Sequence, residues 1–187
     1  MITALMLAAT VAIPDTFLLY EKAAAKKDDN PETSWSVSGK TTARLVVNPC
    51  QRARLGQAGR TQARTIIHTA LPDYLKAEQV VLYSSAAAAG RALRDLEAAV
   101  RACGTSGYRF SARATGLGDR GLSVTGQTYR GGKPAVGGER AVVTRRANAL
   151  ILYTVAGEWG PPAKADFQRQ TKDATRMLGK ICTIADC

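Results

Sequence analysis

The longest regular pattern of apolar positions runs through Leu93, Leu96, Val100 and Cys103, which recur at the spacing of a helix with one buried stripe. Ser84 and Ser85 stand where an N-cap is needed and Gly104 where the helix has to end, so Cys103 falls on the buried side of the last turn. Upstream, 78–83 (EQVVLY) reads as a strand, and the Thr- and Ile-rich run 61–70 is its neighbour across a turn at Pro72 and Asp73. Downstream, the stretches YRFSARA, LSVTGQTY, ERAVVTRR and NALILYTVA are separated by glycine clusters too short to hold crossover helices, which predicts an antiparallel meander. Pro161 and Pro162 mark the start of a last helix, with Phe167, Ala174, Leu178 and Ile181 on one apolar stripe. At the other end, 2–9 reads as a short helix stopped by Val11 and Pro14, and Phe17, Leu18, Leu19 and Tyr20 form the next apolar anchor. The polar stretch 21–38 reads as an exposed loop around Pro31 with Trp35 packed back, 43–47 (ARLVV) as a strand entering a turn at Pro49 and Cys50, and 52–59 as a short helical or irregular link.

Composition narrows this picture. A chain of 187 residues with 45% hydrophobic content can bury one core, and a single domain over 1–187 is expected. A net charge of +11 predicts attraction to polyanions such as nucleic acid, anionic lipid or cell-wall phosphate. With 6% aromatic residues, no stacking platform for bases is visible, so no specific nucleic-acid partner is expected. Residues 1–12 are apolar, but they lack a cationic lead and are too short to cross a bilayer, so they do not read as a signal peptide or a span; an exported form would have lost its leader or anchor upstream.

The four cysteines bear on the compartment. Their even number without a CxxC spacing matches neither zinc nor thioredoxin chemistry, and no metal or other cofactor is expected. Of the three possible pairings, Cys50 with Cys103 and Cys182 with Cys187 needs the least loop closure, because the last two are already neighbours. In the chain-entropy model the long bridge contributes roughly 4 kcal/mol and the short one about 2 kcal/mol. Two disulfides place the protein outside the cytoplasm. The alternative is four reduced cysteines buried as small hydrophobes.

Candidate chemistry is sparse, and no catalytic residue is assigned. Gly116, Gly118 and Gly121 spell GxGxxG, but a dinucleotide site needs a helix after the glycines, whereas Leu122, Ser123, Val124 and Thr125 continue as a strand; the glycines read as a hairpin turn tipped by Asp119 and Arg120. His68, the one histidine, lies in an Ile- and Thr-rich strand with no GxSxG elbow in the chain, and reads as structural. Asp119, Glu139, Glu158 and Asp166 are too dispersed to form a carboxylate pair. Arg140, Arg145 and Arg146 offer bidentate forks for a phosphate, with a solvent-facing β surface as the alternative. Tyr153 and Trp159 are candidates for lining a ligand cleft near the end of the last strand, with core packing as the alternative.

The order of these features carries a resemblance. The Ile13, Pro14, Asp15 sequence after an apolar segment, the Pro49–Cys50 pair, the continuous VLYSSAAAAGRALRDLEAAVRACG, the β meander and the final amphipathic helix together resemble the PknH-like extracellular sensor domains of actinobacterial envelope proteins and receptor kinases. Val100 and Arg101 stand where members of that family tend to carry a tryptophan. The resemblance implies an α+β fold in which a central antiparallel sheet is packed against two main helices, stapled by disulfides and forming a cleft. It also implies a lipoprotein or receptor setting at the outer face of the membrane. The expected function is a non-catalytic sensor or ligand-binding module, secreted or tethered upstream of this chain, with a small or anionic envelope ligand. The alternatives are a basic protein that binds nucleic acid or other polyanions, and a hydrolase built on His68.

Overall fold

The computed structural model describes residues 12–26 and 29–187, so the helix expected over 2–9 lies outside the described residues. The architecture is α+β, with every neighbouring pair in one seven-stranded sheet antiparallel. In chain order the strands are β1 (Thr33–Ser38), β2 (Arg60–Ala70), β3 (Tyr74–Tyr83), β4 (Tyr108–Thr115), β5 (Arg120–Arg130), β6 (Lys133–Arg146) and β7 (Ala149–Gly157). They lie side by side in the order β1-β2-β3-β7-β6-β5-β4. The four-stranded meander is formed as expected, and β7 is inserted beside β3, where both strands are buried on both faces. That double burial is why each reads as a nearly continuous apolar run and not as an alternation.

Helix α2 (Ala86–Ala102) covers one face, and helix α3 (Gln168–Leu178) covers the other together with the segment from Ile13 to Tyr20 and a short helix, α1 (Glu21–Ala24). The side chain of Ser85 accepts the amide of Ala88 at 3.1 Å and so caps α2. Ala88, Ala89, Ala92, Leu93, Leu96, Ala99 and Val100 form its buried stripe, and the alanines let the helix sit close to Val81, Leu122, Val124, Val143 and Leu152. On the opposite face Ala174, Met177 and Ile181 meet Val80, Val142, Ile151 and Tyr153. The Cys50–Cys103 and Cys182–Cys187 disulfides are both formed, the first fastening the end of α2 to the loop before β2 and the second closing the last turn.

Three expectations are corrected. Residues 43–47 are not a strand, although Leu45 and Val47 are buried in alternation. In place of a neighbouring strand, the Gln79 side-chain amide donates to the carbonyl of Arg44 at 3.0 Å and accepts the amide of Val46 at 3.1 Å. The stretch 21–38 is not wholly a loop. Thr33–Ser38 forms the edge strand β1, because Thr33, Trp35 and Val37 suit a pleated half-buried surface even with serines between them. Glu21, at the start of α1, is buried and ion-paired with Arg64. Finally, Pro161 and Pro162 stand in an irregular connection, and α3 begins only after a 3-10 turn at Lys164–Phe167.

The segment before α1 is held by a carboxylate. Glu78 of β3 accepts the amides of Leu19 at 2.9 Å and Tyr20 at 2.7 Å and the Tyr153 hydroxyl at 2.6 Å, while the Tyr20 hydroxyl donates to Asp173 of α3 at 2.8 Å. Burial raises the Glu78 carboxyl above its ordinary range against the pull of these donors, and burial likewise drives both tyrosine hydroxyls far upward. Removing the longer disulfide with Cys50→Ser and Cys103→Ser is expected to cost roughly 4 kcal/mol, twice the loss from Cys182→Ser with Cys187→Ser, as read from urea unfolding midpoints.

Candidate functional site

Neither helix covers the whole of its face. Beyond α3, the outer strands β4 and β5 turn Ser111, Arg113, Thr115, Ser123 and Thr125 into a groove of about 820 Å³. Its other wall is the connection after β7 and the first turn of α3, with Pro162, Ala163, Lys164, Ala165, Phe167, Gln168 and Thr171. Alternation along β4 puts 111, 113 and 115 on one face while Phe110 and Ala112 pack under α2. Among the described residues lining this groove there is no carboxylate. Its polar surface consists of the Arg113 guanidinium, the Lys164 ammonium, the Gln168 amide and four hydroxyls, from Ser111, Ser123, Thr125 and Thr171, the Thr115 hydroxyl being buried away from the groove. Such a set donates hydrogen bonds and positive charge, the complement of an anion that also bears hydroxyls. A second, more open groove of about 630 Å³ lies across the ridge formed by Ala165 and Gln168, lined by Tyr74, Val155, Trp159, Asp166, Arg169, Gln170 and Lys172.

The ridge between them is positioned by Arg140. This side chain is completely buried, and all five of its N–H donors are used. Nε donates to Asp166 Oδ2 at 3.0 Å, Nη1 to the carbonyls of Gly126 at 2.9 Å and Glu139 at 3.1 Å, and Nη2 to Gln127 Oε1 at 2.8 Å and the carbonyl of Gly160 at 2.9 Å. The guanidinium carbon also lies 5.2 Å from the centre of the Trp159 ring. Asp166 in turn accepts the amide of Ala163 at 2.9 Å. Arg140 therefore binds the connection from Gly160 to Asp166 to strands β5 and β6, and sets the wall shared by both grooves.

The other residues singled out from the sequence are distributed differently. Arg145 and Arg146 both reach Asp119, at 3.1 Å and 3.3 Å, so they fasten the β4–β5 hairpin to the end of β6. Gly118 in that hairpin has a φ of +61°, which the expected turn requires. Tyr153 is fully buried, and its hydroxyl is committed to Glu78. Trp159 lines the second groove, with its indole N–H donating to the carbonyl of Val155 at 3.1 Å. Of these four and Arg140, only Arg140 and Trp159 come together, and the five do not converge on one site. His68 lies against Trp35, with ring centres 4.3 Å apart, and meets Tyr74 edge-on at 5.9 Å, a packed position in the sheet. Arg113 and Lys164, which face one groove, had no distinguishing sequence signal; the available hint was the Arg-Phe-Ser-Ala-Arg alternation of β4, with apolar residues on one face and polar residues on the other.

One half-buried carboxylate stands apart from these bonds. Glu139, next to Arg140 but on the opposite face of β6, accepts the Thr154 hydroxyl at 2.7 Å, and burial raises its carboxyl above the ordinary range despite that donor. A raised carboxyl favours folding while protonated, so this contribution is complete below about pH 4.5 and is lost as pH rises through the raised value. Glu139→Gln keeps the shape and the acceptor oxygen. It is expected to match the parent at low pH and to exceed it in stability increasingly toward neutral pH, in urea midpoints measured across the range. Arg140→Met leaves the half-buried Asp166 without its countercharge and the acceptors on β5, β6 and Gly160 without their donor, and is expected to cost about 3–5 kcal/mol, with hydrogen exchange accelerated over residues 158–167.

No family model matches the chain, and no curated protein matches it. Among solved structures, the chain is similar to the extracellular domain of PknH from Mycobacterium tuberculosis, at 10% identity over 91% of this chain and 95% of that one, with a TM-score of 0.60. A likeness with a TM-score of 0.37 and 12% identity, over 86% of this chain and 92% of the other, is found to an uncharacterised protein from Mycobacterium smegmatis. The protein thus shares the fold of a PknH extracellular domain, the fold that the resemblance in sequence implies.

Proposed function

We propose that this fold serves as a non-catalytic binding module of the sensor type, acting outside the cytoplasm at the bacterial envelope, and that its ligand is an anion bearing hydroxyl groups held in the groove between β4, β5 and α3. The observation that carries this reading is the groove's lining, in which Arg113 on the strand wall and Lys164 on the opposite wall accompany serine and threonine hydroxyls with no carboxylate among the described lining residues. The likeness in fold to a PknH extracellular domain supports a receptor-like role, and the two disulfides support an oxidising location. Two of the arginines first considered for phosphate binding, Arg145 and Arg146, are engaged with Asp119, and the third, Arg140, positions the groove wall. The binding role accordingly passes to Arg113 and Lys164.

Titration with glycerol 3-phosphate, followed by amide NMR shifts, tests this reading. Shifts are expected at Ser111, Thr125 and Thr171, with Arg113→Gln and Lys164→Gln each weakening binding by about tenfold or more, the worth of one charge-assisted hydrogen bond. Shifts that are absent, or that survive both substitutions, overturn it.

A further inference from the structure

From the arrangement of the two grooves we infer that the ligand is a chain of anionic units long enough to lie across the ridge and occupy both, in chemical class a phosphodiester-linked polyol or sugar chain. This rests on the reading of the first groove as an anion site and goes beyond it.

The grooves are contiguous, since Ala165 and Gln168 line both. Together their linings contain Arg113 and Lys164 on one side of the ridge and Arg169 and Lys172 on the other, against one carboxylate, Asp166. That carboxylate is already committed to the Arg140 guanidinium and the Ala163 amide. None of the four cations forms an ion pair among the described residues. A fifth, Arg109, lies on the same face of β4 as Arg113, four residues or about 13 Å along the strand, with its guanidinium 4.3 Å from the centre of the Tyr129 ring. Arg113 and Lys164 line only the first groove and Arg169 and Lys172 only the second, so one ligand serves both pairs of cations only by crossing the ridge. A row of unpaired cations on both sides of a shared wall is the complement of charge repeated along a chain.

The neutral groups indicate what lies between the charges. The first groove offers four hydroxyls and one aromatic ring, Phe167, which suits hydroxylated spacers better than stacked bases. In the second groove Tyr74 and Trp159 present apolar ring surface beside Arg169 and Lys172, a setting for the carbon face of a sugar or polyol next to its phosphate.

The test compares glycerol 3-phosphate, a six-unit oligomer of glycerol phosphate and an oligothymidylate of equal charge, by calorimetry at several salt concentrations with the full chain. The oligomer is expected to bind at least about 30-fold more tightly than the monomer. The double variant Arg169→Gln, Lys172→Gln is expected to lower oligomer affinity and reduce the slope of log K against log salt by about 1.4, or about 0.7 per cation, while leaving monomer affinity unchanged. Equal affinity for monomer and oligomer, with the double variant silent, overturns the chain inference and leaves the anion site standing. Tighter binding of oligothymidylate overturns the polyol assignment in favour of single-stranded nucleic acid. Binding of none of the three overturns both this inference and the reading on which it rests. The circular dichroism of the variants, expected to match the parent because both side chains lie on the exposed side of α3, separates loss of contact from loss of fold.

Discussion

A guanidinium withdrawn from water must find five acceptors and a countercharge, and much of the arrangement around the grooves follows from the way Arg140 finds them. Its donors reach two strands, a connection distant in sequence and one carboxylate, so these parts can be satisfied only in a single relative position. The backbone is tailored to that demand. A Cβ on Gly138 would press against the Gly126 carbonyl and come within 3.2 Å of the guanidinium, so the strand pair can close beside the arginine only with glycine there. Gln127 extends the arrangement outward, accepting from Arg140 and donating to the carbonyl of Gly137 at 3.2 Å, where β5 and β6 shift register. A buried ion pair contributes little net stability once desolvation is counted, but it specifies geometry, and geometry is what a groove wall needs.

Glu78 plays the corresponding part on the other half of the same face. It offers a carboxylate to backbone amides that have no strand to pair with, so the segment before α1 lies across the sheet without becoming part of it. Gln79, its neighbour, points to the opposite face and does the same for residues 44–46. Successive residues of one central strand thus anchor irregular chain on both sides of the sheet. In each case a side chain supplies the hydrogen bonds that a neighbouring strand would otherwise provide.

These substitutions explain which parts of the fold could be read from sequence. Helix α2 was legible because its cap, its stripe and its end are all local, and the meander because glycine clusters leave no room for crossovers. Residues 43–47 have the composition and alternation of a strand, but their hydrogen-bond partner is a glutamine side chain more than thirty positions away, which no local pattern records. Strand β1 was hidden because an edge strand needs only one covered face, and its serines resemble those of a loop. Of the candidate site, the sequence marked Arg140 as a residue able to bind an anion, and the structure gives it an internal one, Asp166. The groove residues themselves are ordinary polar positions on β4, β5 and α3. What distinguishes them is the absence of acidic neighbours across a gap, a property of the assembled surface alone.

The chain ties also have a bearing on how the module can be joined to others. Ile13 donates its amide to Gln62, and Asp186 exchanges two hydrogen bonds with Asn148, whose backbone carbonyl accepts the Tyr83 amide. Gln62, Leu82 and Ala149 occupy one row of adjacent strands, so the two fastening points stand about 10 Å apart at the same end of the sheet. A unit entered and left at one end can be spliced into a loop of a larger protein, or hung from it by both ends, without stretching its host. In such a fusion the opposite end, where Tyr74 and Trp159 border the second groove, would point away from the point of attachment.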